Sequence, residues 1–465
     1  MLLIVLLFTS TLFACNSAEN NEAQNNNTEE IQSIGQSGVQ DDASQKNVVQ
    51  VAVSSKDHTT LVTAIKAGEL VDALSNAGPF TVFAPTNAAF ENFLADNNFS
   101  GLADIPVDVL TQVLLNHVIA GEAFSTSLTT SYGSTLATKD GSGENLSIYI
   151  DTSNGVTLNG VSNVSVADVD ASNGVIHIVD AVIGLPNIVN HAVANPNLTS
   201  LVGALTADGN TTFTGLLSTP GDFTVFAPTN DAFASFSTTN DINNVLANHV
   251  IAGTTAVSTS LSNAYVNTAA TLNGTDTPLS MYINVDSGVS LNGASSVIAA
   301  DIIATNGVIH VVDAVIDLPT IATFATTNSA LSILVDALAY ADTGSPTFPY
   351  IDTVSNPTAG PFTVFAPTND AFVDLLGELE ISALTDLTPA QVDTVLLYHI
   401  VGANVQSSQL QTGVVTTLGG DITADATAFT LTDPNDRVSN IITTLVDIQA
   451  ANGVVHVIDK VILNN

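Results

Sequence analysis

The sequence predicts an α/β (α+β) protein built from three tandem domains. Three observations lead there. The stretch FTVFAPTNAAF at 80 to 90 returns nearly unchanged at 223 to 233 and at 362 to 372. The interval of roughly 140 residues is that of an independent domain and far longer than a solenoid repeat. Ahead of the first copy apolar residues fall at helical spacing, after it come short alternating runs, and every copy closes on an Asn-Gly that opens a β-branched run.

Residues 1–15 are expected to be a signal segment. MLLIVLLFTSTLFA is too short to span a bilayer and stops at Cys15, the only cysteine. Leu12-Phe13-Ala14-Cys15 resembles the lipobox of bacterial lipoproteins, with Phe13 bulkier than usual there. The resemblance implies cleavage before Cys15 and lipid attachment to it, an anchor of more than one acyl chain. The other reading is an ordinary secretory peptide with an accidental cysteine. With a single thiol no intrachain disulfide can form, so the domains depend on their cores. Residues 16–45 hold six acids, no base and few apolar groups, the composition of a disordered acidic tether.

The domains are placed at 46–186, 187–318 and 319–465. In the first, Leu61, Ile65, Leu70 and Leu74 predict helices ahead of the repeated stretch. Residues 80 to 84 read as a strand apolar on both faces, ended by Pro85, with Thr86 and Asn87 suited to cap the next helix. VDVLTQVLLNHVI at 107 to 119 reads as a further helix, with Gly121 as its C-cap. LSIYI at 146 to 150 and VTL at 156 to 158 then read as hairpin strands, and the last strand as Val175 to Val182 after Asn173-Gly174. The recurrence of Asn-Gly is ascribed to the positive φ of a tight turn. In the third domain Thr432 to Arg437 replaces the middle hairpin, making it the most divergent copy. The joints at Leu185-Pro186 and Leu318-Pro319 are short, which predicts a stiff array.

Six Lys and Arg against 44 Asp and Glu give a formal charge of −38. That excludes nucleic acid, whose phosphates are bound by basic clusters, and disfavours anionic membrane surfaces. An acidic surface suits a saline exterior.

FTVFAPTN near the start of each copy, NHVIAG or YHIVG in the middle and NGVIHVVDAVI or its variants at the end resemble the fasciclin domain, in the same order three times across residues 47 to 463. The resemblance implies a wedge of strands with helices packed at one side, in proteins of the cell surface and extracellular matrix that mediate adhesion.

Histidine recurs at two positions: His117, His249 and His399, then His177, His310 and His456. Two per domain are too few for a transition-metal site, and no cysteine or carboxylate repeats beside them at ligand spacing. They are read as structural, with no metal and no cofactor. Asp180, Asp313 and Asp459 follow three residues after the second histidine, on the opposite strand face, so an in-strand His-Asp pair is not expected. The Asp- and Asn-rich loops at 151 to 155 and 433 to 436 read as turns rather than calcium loops. In animal fasciclin proteins a Tyr-His pair in the middle motif is associated with integrin binding. Only Tyr398-His399 matches it here, the first two domains having Asn116-His117 and Asn248-His249. Tyr398 and His399 are therefore the candidate adhesion contact, with a core-packing tyrosine as the other reading.

No nucleophile elbow, phosphate loop or zinc-protease helix is present, and no enzyme is expected. The favoured function is a non-catalytic, lipid-anchored protein at the outer cell surface that binds a matrix or cell-surface protein or polysaccharide. The alternative is a protein, periplasm-facing or at the surface, that binds a small ligand or polysaccharide in one domain, with the third domain's divergence as its motive.

Overall fold

The computed structural model describes residues 46–140, 142–207 and 212–464. The apolar leader, Cys15 and the acidic stretch to residue 45 lie outside the described residues.

The repeated stretch is the central strand of each domain: Phe80–Pro85, Phe223–Pro228 and Phe362–Pro367. It pairs in parallel with the closing strand, Gly174–Val179, Gly307–Val312 or Gly453–Ile458. On its other edge it pairs antiparallel with a short strand, Val118–Ala120, Val250–Ala252 or Ile400–Val401. Being central explains its apolar groups on both faces. Val82 and Ala84 join the helical core, while Phe83 packs among Ile148, Ile150, Leu158, Val179 and Ile183 on the other side. Thr81, the one polar residue within it, is buried but satisfied: its hydroxyl donates to the Gly121 carbonyl at 2.8 Å and accepts from Ala123 N–H at 2.9 Å.

Helices cover one face. In the first domain they are Val48–Ser54, Thr59–Ala67, Val71–Ser75, Asn87–Asp96 and Val107–Leu115. Thr86 caps the fourth, its hydroxyl accepting from Ala89 N–H at 3.2 Å. Asn87 has a different task. Its amide accepts from Thr60 N–H at 2.9 Å and donates to the Lys56 carbonyl at 3.1 Å, fastening the start of helix Thr59–Ala67. Asn230 and Asn369 repeat the clamp on Ser200 and Pro196, and on Ile333 and Ser329.

Three sequence expectations are corrected. The helix from Val107 stops at Leu115 with Asn116 as its C-cap, and 118–120 is strand, because the edge of the central strand needs a partner there. Gly121 therefore follows a strand, at φ +95°, and its N–H bonds the Pro79 carbonyl at 2.8 Å. In Asn173-Gly174 only the glycine takes positive φ, +148°. A Cβ there would come within 2.0 Å of the Phe80 carbonyl oxygen. Asn173 is a three-way clamp, accepting from Val48 N–H at 2.9 Å and donating to the Leu74 and Asn76 carbonyls at 2.9 and 2.7 Å. Asn306 and Asn452 do the same in their domains.

Seven strands close into a barrel in the first domain, and seven form one sheet in the second. The third has two four-stranded sheets, the second of them made of Gly413–Thr416, Asp421–Asp425, Thr430–Thr432 and Val438–Asn440. The turn between its last two strands is held by Asp433. Its carboxylate accepts from Arg437 Nη1 at 3.1 Å and from the N–H groups of Asn435, Arg437 and Leu463. Those bonds occupy the oxygens a cation would need.

Successive domains join through matching surfaces. Tyr132 and Tyr149 pair with ring centres 4.9 Å apart, and His191 on helix Ile188–Ala194 of the second domain meets Tyr132 edge-on at 5.6 Å. Tyr265 and Tyr282, 4.7 Å apart, lie against helix Ile321–Thr327 of the third, where Phe324 meets Tyr265 edge-on at 5.5 Å. Beside these contacts Ser147 Oγ accepts from Ile303 N–H at 2.9 Å, and Ser280 Oγ from Gln449 N–H at 3.0 Å. The first joint adds an ion pair, Lys139 Nζ to Asp222 at 2.6 Å. Among the described residues no single helix is long and apolar enough to cross a membrane.

Candidate functional site

The recurring histidines are the strongest concentration of chemistry in the chain, and the first set follows the last turn of a helix. His117 Nδ1 donates to the Val113 carbonyl at 2.7 Å, and Nε2 accepts from Ile183 N–H at 2.9 Å. His249 and His399 make the same two bonds, to Val245 and Ile316 and to Val395 and Ile462. Each ring thereby ties the helix end to the chain leaving the closing strand. Burial lowers all three pKa values to about 4, against the smaller opposing pull of the accepting carbonyl. Neutral rings with both nitrogens engaged have no proton to exchange near neutral pH.

The second set sits on the closing strand. His177 stacks on Phe83, donates from Nε2 to the Ala123 carbonyl at 2.9 Å and accepts at Nδ1 from Asp168 N–H at 3.3 Å. His310 and His456 repeat this with Ala256 and Asp301, and with Val405 and Asp447. Desolvation lowers the pKa of each.

Here the structure brings together residues that linear spacing does not. The Asp168 carboxylate lies 3.9 Å from His177 Nδ1 and accepts from Ser125 N–H at 2.7 Å and Ser125 Oγ at 2.5 Å. Ser258-Asp301-His310 and Ser407-Asp447-His456 copy it. Serine, aspartate and histidine meet, but in an order unlike that of a hydrolase. The hydroxyl hydrogen goes to the carboxylate and Nδ1 already accepts a backbone N–H, so the imidazole is no base for the serine. The cluster ties a 3-10 turn to a bulge where Asp168 has φ +61°. A sequence signal existed: Asp168, Asp301 and Asp447 each stand five residues before the recurring Asn-Gly. Asp180, Asp313 and Asp459, nearer in sequence, instead accept from Asn163, Ser296 and Asn440 N–H at 2.7 Å across the hairpin.

At the Tyr398-His399 pair the two side chains part. His399 is 2% exposed and offers no free ring atom to a partner. Tyr398 is half-buried against the Phe365 cluster, under Gly419-Gly420, where an added Cβ would come within 2.4 Å of its ring. Asn116 and Asn248, at the same place in the other domains, are buried and bonded to Thr135 and Gly184, and to Thr268 and Asp317. Among the described residues no group of three or more His, Cys, Asp or Glu is placed to hold a metal ion.

The fasciclin-domain family model matches residues 56–186, 196–319 and 330–464. The protein sll1483 of Synechocystis sp. is 41% identical over 132 residues, 28% of this chain and 69% of that protein. Human periostin is 24% identical over 433 residues, 87% of this chain and 46% of periostin. The immunogenic protein MPB70 of Mycobacterium bovis is 40% identical over 82 residues, 16% of this chain and 40% of MPB70. A solved FAS1 domain pair from the insect cell adhesion molecule Fasciclin I aligns with 57% of this chain and 97% of its own, at TM-score 0.39 and 18% identity. With its family model matching most of the length, three times in tandem, this chain belongs to the fasciclin-domain family.

Proposed function

We propose that this chain is a non-catalytic adhesion protein of the cell envelope that binds a matrix or cell-surface protein or polysaccharide through its three fasciclin domains. The observation that carries the reading is the repetition of whole domains through matched joints. Copies held in a fixed relation gain avidity from contacts that are weak one by one. The family's association with adhesion supports it, as does the wiring of the Ser-Asp-His clusters, which leaves no activated nucleophile. In this reading Cys15 carries the lipid anchor and residues 16–45 form the tether that holds the domains off the membrane.

The test immobilises the full chain on beads or plates and measures retention of cells and of matrix material, with single domains beside it. Retention by the full chain well above that by one domain is expected. Equal failure of both sinks the reading. Protease shaving of intact cells, comparing the natural chain with Cys15→Ala, checks the placement: digestion from outside and release of the variant to the medium are expected.

A further inference from the structure

The first domain buries an imidazole where its two sister domains bury a leucine. His58, in the turn before helix Thr59–Ala67, occupies the place of Leu198 and Leu331, and the three are 5%, 0% and 1% exposed. Its Nδ1 lies 2.7 Å from Ser55 Oγ, which also accepts from Asp57 N–H at 3.3 Å. With Ser55 Oγ already accepting from Asp57, we assign its hydrogen to Nδ1 and the ring's own hydrogen to Nε2. Nε2 is buried and has no hydrogen-bond partner; desolvation lowers the ring's pKa against smaller opposing pulls from Asp57 and the Ala84 carbonyl.

This ring lines a cavity of about 140 Å³ between the helices and the sheet, whose other walls are mostly aliphatic, among them Val48, Ala52, Leu61, Ile65 and Val82. The second domain has a cavity of about 150 Å³ on the equivalent positions, Ile188, Ala192 and Leu201 included. Its histidine, His249, has both nitrogens bonded. The third domain has closed the space to about 30 Å³, with Leu331 in its wall. One scaffold therefore appears in three states: open with a free N–H, open without one, and filled. An apolar cavity of about 150 Å³ stays dry and takes a single-ring hydrocarbon. An unsatisfied donor in such a wall selects for an acceptor.

The geometry points to a binding site in the first domain for a small, largely apolar molecule, a single ring or short chain, carrying one hydrogen-bond acceptor that His58 Nε2–H meets. The site is independent of adhesion. It also stands away from the divergent third domain, and its walls do not suit a polysaccharide.

The test titrates the full chain, labelled with ¹⁵N in its histidines and ¹³C in its alanine methyls so that Ala52 and Ala84 report the cavity in every variant that keeps them, with acetophenone and with the near-isosteric isopropylbenzene, which has no acceptor. Saturable shifts of the His58 ring are expected, while the His249 ring reports the second cavity separately. His58→Leu places the sister domains' residue and keeps the fold. It should lower the ratio of acetophenone to isopropylbenzene affinity at this site about tenfold, the worth of one hydrogen bond. Ala52→Phe, which fills the cavity, should abolish both. The inference is overturned if neither probe shifts the His58 ring saturably, or if His58→Leu leaves the ratio unchanged.

Discussion

At the scale of single residues the molecule is held by side chains that bond backbone, and the histidines show what this costs. Burial holds His117, His191, His249 and His399 at a pKa of about 4, against 6.5 in the unfolded chain. Between those values the unfolded chain takes up protons that the folded chain refuses. The stability tied to the neutral rings is therefore complete above pH 6.5 and lost as pH falls toward 4. Denaturation in urea followed by circular dichroism should show a loss of about 2 kcal/mol per histidine between pH 7 and pH 5, where most carboxylates stay ionised. Equal stability at the two values contradicts it. His58 behaves in the opposite sense when replaced: His58→Leu removes a buried unpaired donor and should stabilise the first domain by about 1 to 3 kcal/mol in the absence of ligand. The recurrence of histidines and asparagines was legible in the sequence, but their partners were not. Asn173 looks like a turn residue until Val48, Leu74 and Asn76 are seen around it, and those contacts span about 100 residues of chain.

At the scale of elements, the repeated strand followed by a helix was legible because its pattern is local: apolar groups on both faces, then Pro, then Thr as cap. The short strand at 118–120 was not, since VLLNHVIA keeps helical spacing and only the neighbouring edge of the central strand makes it extended. Helix Val48–Ser54 also escaped, though Asn47 and Gln50 form a capping box at its start. Asn173→Ala should separate this helix from the strand it overlies. Three hydrogen bonds go, and Val48 N–H together with two carbonyls is left with no partner, for a loss of about 3 kcal/mol or more. Urea denaturation of the variant measures it, and a loss below 1 kcal/mol would make the clamp incidental. The helix at the start of the second domain carries a different weakness. His191 Nδ1 is buried without a partner, and Nε2 reaches the Ile303 carbonyl only at 3.3 Å. The third domain has Phe324 there. His191→Phe should strengthen the first joint at pH 7 and remove its share of the loss at pH 5, read from the same denaturation series.

At the scale of the whole molecule, the number of domains and their family were legible because repetition needs no knowledge of contacts. The joints were not, because Tyr132 and Tyr149 come together only when two hairpin strands pair, and the next domain's helix then meets Tyr132 through His191. The surplus of 38 negative charges pushes the domains apart, and among the described residues only the first joint adds a salt bridge between neighbours, Lys139 to Asp222. The aromatic contacts, the serine-to-backbone bonds and, at the first joint, the packing of Ala137 and Leu146 on Ile303 and Val308 then carry the association, and none is weakened by salt as an exposed ion pair is. The third domain does not offer the joint again, since its hairpin strands GVVT and DITAD contain no tyrosine. Raising sodium chloride from about 10 mM to about 0.5 M, which shortens the Debye length severalfold, should therefore raise the thermal midpoint by screening self-repulsion, without parting the domains. Calorimetry of Tyr265→Ala should show the third domain melting apart from the first two at either salt concentration. If Tyr265→Ala melts as the natural chain does, the aromatic contact does not hold the second joint, and if salt instead lowers the midpoint, ion pairing outweighs the self-repulsion.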